Sequence, residues 1–296
     1  SFHPIYKHPL PDGHRFPMLK YDLLPQQLIY EGTCEKANYF EPEMPDESPI
    51  LAVHDENYFN ELKNLQLKPS LARKIGFPLS EGLVRREQII ADGTIKGCGF
   101  ALQYGIAMNI AGGTHHAFTD RGEAFCMLND QAIAAQYLKK QGLAKKILII
   151  DLDVHQGNGT AEIFQNDPSV FTFSMHGASN YPFKKETSDL DIPLEKGCDD
   201  ETYLYILKNT LPQLIQETAP DFIFYLCGVD ILASDKLGTL GMTLKGCYER
   251  DRYVLQTCKD LKLPVQCSMG GGYSADIKII VEAHANTFRL AQEIFF

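Results

Sequence analysis

Short apolar runs alternate with amphipathic segments along most of the chain. From about residue 80 onward, each run typical of a buried strand is separated from the next by a helical pattern, as in 129–142 and 200–218. This alternation predicts a single doubly wound α/β domain over residues 1–296, with a central parallel sheet flanked by helices on both faces. The predicted strands are 104–113, 146–151, 170–176, 222–230 and 264–272.

Polar residues follow each of the five predicted strands. The motifs are GGTHHAF (112–118), DLDVHQGNG (151–159), SMHG (174–177), CGVD (227–230) and GGGY (270–273). In open α/β sheets, ligands bind beyond the carboxyl ends of the strands. Each motif is common by itself, but together they predict one site at one edge of the sheet, built from His, Asp, His, Asp and Tyr side chains.

Three ionisable residues alternate at the end of the apolar run 147–150, namely Asp151, Asp153 and His155. Residues two apart on a strand face the same way about 7 Å apart, so the last two can converge on one ion where the Gly-rich turn bends the chain. Asp230 ends another predicted strand and would be the third ligand. Three protein ligands with an open position indicate a catalytic zinc site. Iron(II) or cobalt suits the same ligands, and an Asp–His network that caps strand ends is the structural alternative.

His115 and His116 are candidates for acid–base chemistry. Adjacent histidines can both face a metal-bound water, and a carboxylate behind one imidazole fixes its tautomer and raises its basicity. Asp151 is placed to do this for one histidine, and Asn158 can hydrogen-bond the other. Tyr273 can donate its hydroxyl to a polarised carbonyl oxygen, since the preceding glycines allow close backbone approach. An incidental histidine pair and an ordinary packed tyrosine are the alternatives.

Composition and charge exclude several classes of function. The formal charge of −10, without a run of five like charges, argues against direct binding to nucleic acid. No stretch approaches about 18 apolar residues, and residues 1–11 do not resemble a signal peptide, so we expect no membrane span. The eight cysteines form no CxxC pair, as expected for reduced cysteines of a cytoplasmic protein. Helix faces that cover a sheet resemble those that bind a partner, so no oligomeric state is predicted.

Together these motifs resemble the zinc-dependent histone deacetylase family of the arginase/deacetylase superfamily. The resemblance runs nearly end to end, from HPLPDGHRFPMLKY (8–21) through LAVHDENYF (51–59) to GGGY. DRGEAFC (120–126) and HQGNG (155–159) most resemble the class IV branch, and the family includes bacterial acetoin-utilisation relatives. The resemblance implies the same fold and a hydrolase that removes acyl groups, acetyl or longer, from the ε-amine of lysine in proteins or peptides.

The resemblance also implies roles for individual residues. One zinc ion would be bound by Asp153, His155 and Asp230. The implied catalytic residues are His115, His116, Asp151, Asn158 and Tyr273, with His116 matching the proton-transfer histidine. The implied substrate-binding residues are Ala124, Phe125, Tyr181, Leu237 and Gly271. A structural potassium ion, bound mostly by main-chain oxygens, is implied near Asp151, Asp153, His155, Ser174 and Met175.

Three positions depart from the family pattern. Asn158 stands where class I enzymes carry a second aspartate, so the histidine that it contacts has less charge support, although the class IV branch shares this asparagine. Ala124 replaces a common glycine and would narrow the tunnel wall slightly. No aspartate in GFPLSEGLV (76–84) matches the rim aspartate with which class I enzymes hold the substrate backbone.

Three other functions are alternatives to the lysine deacylase. An arginase-like ureohydrolase would need carboxylates for a second metal where Gly157 and Leu232 stand, which argues against it. A deacetylase of acetylpolyamines or other small amides shares the zinc chemistry and is the main alternative hypothesis. A non-catalytic module that binds acyl-lysine is a third hypothesis, which the retained ligands, histidines and tyrosine disfavour.

Overall fold

Six strands form one sheet in the computed structural model, which describes residues 1–296. The strands are β1 (Ile106–Asn109), β2 (Ile147–Asp151), β3 (Val170–Gly177), β4 (Leu190–Leu194), β5 (Phe222–Leu226) and β6 (Val265–Ser268). Their order across the sheet is β1-β6-β5-β2-β3-β4, and every neighbouring pair is parallel. Because parallel strands need crossover connections, helices have to cover both faces of such a sheet.

Ten α-helices accompany the sheet, and four of them lie between consecutive strands. They are α1 (Lys20–Tyr30), α2 (Ser48–Leu51), α3 (Glu56–Lys63), α4 (Pro69–Ile75), α5 (Glu81–Tyr104), α6 (Asp130–Lys140), α7 (Asn158–Phe164), α8 (Asp200–Thr218), α9 (Leu244–Asp260) and α10 (Ile277–Phe295). Short 3₁₀ helices span Pro4–Tyr6 and Lys36–Asn38. The longer helices begin at side-chain caps, as at Ser80, Asp199 and Thr243, whose oxygens accept first-turn amides.

Alternate residues of the central strands pack into two cores, one on each face of the sheet. Ile147 and Ile149 of β2 belong to the core that contains α5 and α6. Leu148 and Ile150 belong to the core that contains α8 and α9. Successive side chains on a strand point to opposite faces, so a continuous apolar run is needed to cover both. This explains why the strand before Asp151 is apolar at four consecutive positions.

The strand order reverses between β2 and β5, which are parallel neighbours in the sheet. From β2 the chain continues to β3 on one side, and from β5 it continues to β6 on the other. Ligands of open α/β sheets bind at such a switch point, outside the carboxyl ends of the strands. Asp153 and His155 follow β2, and Asp230 follows β5. The topology therefore brings the three residues to the same crevice.

The predicted fold class is confirmed: the sheet is parallel and lies between helical layers. All five predicted strands exist, although those predicted at 104–113, 222–230 and 264–272 end earlier, because their last residues are site loops. The sequence did not reveal β4, a half-exposed edge strand that contains Pro193. Proline is tolerated at a sheet edge but weakens any strand pattern. The assignment of residues 1–296 to one catalytic domain stays a prediction.

None of the helices combines the length and apolar character that crossing a bilayer requires.

Candidate active site

Asp153, His155 and Asp230 converge at the switch point. One ligand atom of each lies within 4.8 Å of the others, and all three residues are buried. Nδ1 of His155 is 3.0 Å from Oδ1 of Asp153 and 3.2 Å from Oδ2 of Asp230. The alternation along the chain beyond β2 thus turns two residues towards a third from β5, as the sequence predicted.

Main-chain groups hold the two carboxylates in place. The Gly271 amide donates to Oδ2 of Asp153 at 2.8 Å, and the Val154 amide donates to Oδ1 of Asp230 at 3.0 Å. The loop that contains Gly271 lies so close that a Cβ there would overlap Oδ2 of Asp230. Glycine is therefore required at this position by the close approach of the backbone.

The cluster has the donor set and the charge of a metal site. Oδ2 of Asp230 is buried and lacks a hydrogen-bond partner, although Nδ1 of His155 lies 3.2 Å away. Burial and the neighbouring Asp153 carboxylate raise the pKa of Asp230 to about 7. Two buried carboxylates disfavour each other's charge unless a cation compensates them. The residues therefore fit a divalent metal, and a His/Asp₂ set suits zinc, iron(II) or cobalt.

His115 is held by a carboxylate. Its Nδ1 lies 2.6 Å from Oδ2 of Asp151, and its Nε2 lies 4.0 Å from Oδ1 of Asp153. Burial alone would lower the pKa of His115, but the Asp151 charge outweighs burial and raises this pKa. Oδ1 of Asp151 also accepts the Asp153 amide at 3.1 Å. Asp151 therefore connects the histidine loop to the metal-ligand segment.

His116 is held by an amide instead of a carboxylate. Its Nδ1 lies 2.6 Å from Oδ1 of Asn158. An amide oxygen only accepts hydrogen bonds, so Nδ1 carries the proton and Nε2 is a free base. Burial, followed by the charges of His115 and His155, lowers the pKa of His116 well below its usual value. The two adjacent histidines thus differ in protonation, with His116 neutral at physiological pH.

A cavity of about 40 Å³ joins these groups, and its lining includes His116, Phe125, Gly271 and Tyr273. The Tyr273 ring lies 6.4 Å from the His155 ring and 6.1 Å from the Phe125 ring, measured between centroids. Burial raises the pKa of Tyr273 well above its usual value, so its hydroxyl stays protonated as a donor. The cavity thus combines Asp153 and His155 of the metal-ligand cluster with a neutral histidine and a hydroxyl donor.

Ala124 and Phe125 form one wall of the cavity through an unusual backbone conformation. Both have positive φ, 42° for Ala124 and 69° for Phe125. The Ala124 amide donates to the Lys74 carbonyl at 2.9 Å, and the Phe125 amide donates to the Ile75 carbonyl at 2.6 Å. Non-glycine residues adopt this region only where surrounding contacts impose it. The end of α4 therefore fixes the position of the Phe125 ring.

Tyr181 and Leu237 occupy different surroundings. The Tyr181 ring meets the His116 ring edge to face at 5.0 Å, and on its other side it contacts the exposed Phe183 ring at 6.4 Å. Leu237 is outside the cavity lining and half-buried against the core. Tyr181 therefore lies near both His116 and the exposed Phe183. The rim role of Leu237 stays a prediction.

His176 is separate from the cavity, contrary to the expectation that the SMHG motif joins the site. Its Nδ1 is 3.0 Å from Oγ of Ser174, and burial lowers its pKa to about 4. The physical reason is that β3 continues through this motif, so His176 is a strand residue rather than a loop residue. Ser174 pairs with Asp151 across the sheet, which places the residues predicted to bind potassium near one another. The ion itself stays a prediction.

Asp130 and His54 position the histidine loop, and the sequence did not indicate either role. Oδ1 of Asp130 accepts the amides of Gly113 and Thr114 at 2.8 and 2.9 Å, directly before His115. The hydroxyls of Thr94, Thr114 and Ser268 also contact the Asp130 carboxylate. His54 binds the far side of the loop at the Phe118 carbonyl, 2.9 Å away. In the sequence, Asp130 is marked only as part of the Asn-Asp pair at the start of α6.

Arg250 and Asp251 support the metal-ligand segments from below. The Arg250 guanidinium is fully buried and donates to the carbonyls of Leu152 and Gly228 at 3.1 and 2.6 Å. Nε of Arg250 donates to Asp251 at 2.8 Å. One cation therefore joins the end of β2 to the end of β5. On the sequence these residues look like an ordinary charged helical pair within α9.

Asp235 holds the main chain of Tyr273. Its Oδ2 accepts the Tyr273 amide at 2.6 Å, and its Oδ1 accepts the Leu237 and Gly238 amides at 2.8 and 2.9 Å. This carboxylate joins two loops that are far apart in sequence. No local pattern marks such a contact.

Comparison with protein-family models gives one match. The model described as histone deacetylase domain matches residues 14–288. An uncharacterized protein of Picosynechococcus sp. is 46% identical over 99% of this chain and 98% of its own. Histone deacetylase 2 of Arabidopsis thaliana is 27% identical over 93% of this chain and 74% of its own. The acetoin utilization protein AcuC of Staphylococcus aureus is 27% identical over 94% and 77%.

Solved structures share the fold. The HD domain of HDA15 superposes with a TM-score of 0.83 at 19% identity, over 99% of this chain and 87% of that one. An acetylpolyamine aminohydrolase of Burkholderia pseudomallei gives a TM-score of 0.77 at 22% identity, over 97% and 96%. At these identities the likeness concerns the fold.

Proposed function

The chain belongs to the histone deacetylase family, and we propose that it hydrolyses the amide bond of acyl-lysine in peptides or proteins with a zinc ion. The observation that carries the proposal is the buried Asp153, His155 and Asp230 cluster, which faces a neutral histidine and a tyrosine in one cavity. Deacetylation is the activity named for relatives over nearly the whole chain. The family resemblance noted in the sequence is thereby confirmed, while the class IV branch stays a prediction.

The metal would be held by one nitrogen and two carboxylates. Oδ1 of Asp153 and Oδ2 of Asp230 lie 3.0 and 3.2 Å from Nδ1 of His155, so all three donors are available to one ion. A bound zinc ion supplies a Lewis acid that lowers the pKa of water and polarises the amide carbonyl. With three protein ligands, an open position remains for these groups.

His116 would act as the general base. Its Nε2 is unprotonated because Nδ1 is fixed by Asn158, and its lowered pKa keeps the ring neutral. It can therefore accept a proton from the attacking water, and the imidazolium so formed can donate this proton to the leaving amine. His115, paired with Asp151, contributes a positively polarised ring 4.1 Å away. The positive polarisation of the His115 ring favours negatively charged groups in the cavity.

Tyr273 would stabilise the developing oxyanion. Its hydroxyl stays protonated because burial raises its pKa, and the cavity leaves it accessible to substrate. A donor directed at the oxygen that gains charge in the transition state is worth about 100-fold or more in turnover. Asp235 fixes the main chain of Tyr273, so the donor is held in place before the substrate arrives.

The walls suit an acylated lysine. Phe125 lines the cavity, and the half-buried Tyr181 ring lies 5.0 Å from the His116 ring. This aromatic surface would match the four methylenes of a lysine side chain. Because one water needs about 10–15 Å³ by this measure, a cavity of about 40 Å³ holds roughly three waters. An acetyl group has three heavy atoms. We therefore expect acetyl to be preferred over long acyl groups.

An acetylpolyamine or other small amide is the second candidate substrate. Residues 76–84 lack an aspartate for holding a substrate backbone, and an acetylpolyamine aminohydrolase shares the fold. The proposal also includes a structural potassium ion near Asp151, Ser174 and Met175, and a cytoplasmic location, which suits eight unpaired cysteines.

The test is turnover by zinc-supplemented protein on one lysine peptide carrying acetyl, butyryl, octanoyl or myristoyl, with acetylspermidine in parallel. Tyr273→Phe removes the oxyanion donor, and Tyr205→Phe, at an exposed position of α8, is the matched control. We expect hydrolysis of the acetyl peptide, lost at least about 100-fold in Tyr273→Phe and unchanged in Tyr205→Phe.

Other outcomes would change the assignment. Turnover of acetylspermidine alone would make the protein a polyamine deacetylase. Binding of one zinc per chain without turnover of any substrate would favour a non-catalytic acyl-lysine module.

A further inference from the structure

An exposed cation lies at the outer wall of the cavity. The Arg15 guanidinium carbon lies 4.9 Å from the centroid of the Phe125 ring, and Phe125 lines the cavity. The next residue, Phe16, also lines the cavity and meets Tyr273 edge to face at 6.0 Å. Arg15 itself is exposed. The segment therefore has an apolar side chain inside the site and a positive charge on the solvent side of the same wall.

The charge of Arg15 has no compensating partner. Its guanidinium forms no ion pair or hydrogen bond with the chain, and Asp12, in the preceding turn, does not reach it. It lies over the face of the Phe125 ring, which attracts a cation without neutralising it. The positive field of this side chain therefore extends into the solvent in front of the cavity.

The carboxylate of the same wall is compensated. Glu123 accepts the Tyr181 hydroxyl at 2.5 Å and Nε of Arg121 at 3.0 Å, and Nζ of Lys74 lies 3.4 Å away. Arg121 also pairs with Asp120 at 2.9 Å, so the two cations and the hydroxyl offset the charges of two carboxylates. Although the chain as a whole has a net charge of −10, Arg15 adds an uncompensated positive charge beside the cavity. This local positive charge affects which substrates approach.

We propose that Arg15 is a specificity-determining residue that favours acyl-lysine flanked by acidic residues and disfavours acylated polyamines. The inference rests on the proposed deacylase function. An acylated lysine is neutral, so the peptide around it sets the charge at the entrance, and flanking carboxylates or main-chain carbonyls can accept hydrogen bonds from the guanidinium. The free amines of acetylspermidine are protonated, and Arg15 repels them.

The experiment measures kcat/KM for zinc-loaded protein on acetyl-lysine peptides flanked by Asp, Ala or Arg, and on acetylspermidine. The variants are Arg15→Glu, Arg15→Met and Arg15→Lys. Arg15→Met keeps apolar contact with Phe125 but removes the charge, and Arg15→Lys keeps the charge. The control is Arg252→Glu, an exposed arginine of α9, which changes the net charge as Arg15→Glu does.

In wild type we expect the Asp-flanked peptide to exceed the Arg-flanked peptide by about threefold to tenfold at low ionic strength, the size expected for one partly exposed charge. Arg15→Lys keeps this order, Arg15→Met abolishes it, and Arg15→Glu inverts it and raises relative activity on acetylspermidine. Arg252→Glu leaves the order unchanged. About 0.5 M salt shrinks the preference, since screening is then stronger.

Two results would overturn the inference, and they are distinguishable. If peptides are hydrolysed but the ratio for Asp-flanked and Arg-flanked substrates is the same in wild type and Arg15→Glu, the role of Arg15 is refuted and the deacylase function stands. If no acyl amide is hydrolysed by wild type, the proposed function falls and this inference falls with it.

Discussion

Replacing Arg250 with methionine removes the guanidinium that joins the ends of β2 and β5. This side chain is fully buried, donates to the carbonyls of Leu152 and Gly228, and forms an ion pair with Asp251. In the variant the Asp251 carboxylate keeps two hydroxyl donors but loses its cation. The two carbonyls lose a donor without gaining access to water.

The expected cost follows from these lost contacts. Removing one partner of a buried ion pair typically costs about 3–5 kcal/mol, because an uncompensated charge remains. Each carbonyl left without a donor adds about 1 kcal/mol. Arg250→Met should therefore lose at least about 3 kcal/mol, a large share of the roughly 5–15 kcal/mol that stabilises a typical domain. Arg250→Lys keeps the charge but not the planar fork, so it should lose less.

Urea unfolding at neutral pH measures these differences. The double variant Arg250→Met with Asp251→Leu is the informative control, because it also removes the unpaired carboxylate and should recover most of the lost stability. Zinc binding to Arg250→Lys should weaken by about tenfold, since residues that orient ligands usually have effects of this size. A loss below about 1 kcal/mol in Arg250→Met, or no recovery in the double variant, would refute the reasoning.

Three further predictions concern other buried polar residues. Burial lowers the pKa of His54 to about 4, so the folded state excludes a proton that the unfolded chain binds below about pH 6.5. The free energy of unfolding should therefore be highest above that pH and fall by on the order of 3 kcal/mol as the pH drops to about 4. In urea unfolding, His54→Gln should reduce this pH dependence. Asp130→Asn alters a carboxylate that accepts two amides and contacts three hydroxyls, and it should cost at least about 2 kcal/mol in urea unfolding. A loss under about 1 kcal/mol would contradict its positioning role. Asn158→Asp places a carboxylate at His116 and should move the acidic limb of kcat/KM to higher pH by about one unit, whereas Asn209→Asp, on the exposed side of α8, should not move it.

The sequence predicted the parts of the site that follow local rules. The apolar run before Asp151 identified a central strand, and alternation beyond it identified Asp153 and His155 as neighbours on one side. Asp230 could be added because carboxyl ends of parallel strands meet at one edge of the sheet. The structure places all three within reach of one ion.

The supporting residues were not predictable, because their partners are distant in sequence. Asp130 looks like a helix start, yet it binds the loop before His115. Arg250 looks like a surface helix residue, yet it is buried and binds the carbonyls of Leu152 and Gly228. These two residues lie 98 and 22 positions earlier in the sequence, at the ends of two strands. His176 was misplaced for the opposite reason, since its motif resembles a loop but β3 continues through it.

The central claim is that acyl-amide hydrolysis depends on one metal ion held by Asp153, His155 and Asp230. The most direct measurement strips the protein with a chelator and titrates zinc back, following bound metal and acetyl-lysine peptide hydrolysis in the same samples. We expect activity to rise with occupancy and to level off at one zinc per chain, and Asp230→Ala to show neither binding nor turnover. Full activity after complete metal removal, or in Asp230→Ala, would contradict the account.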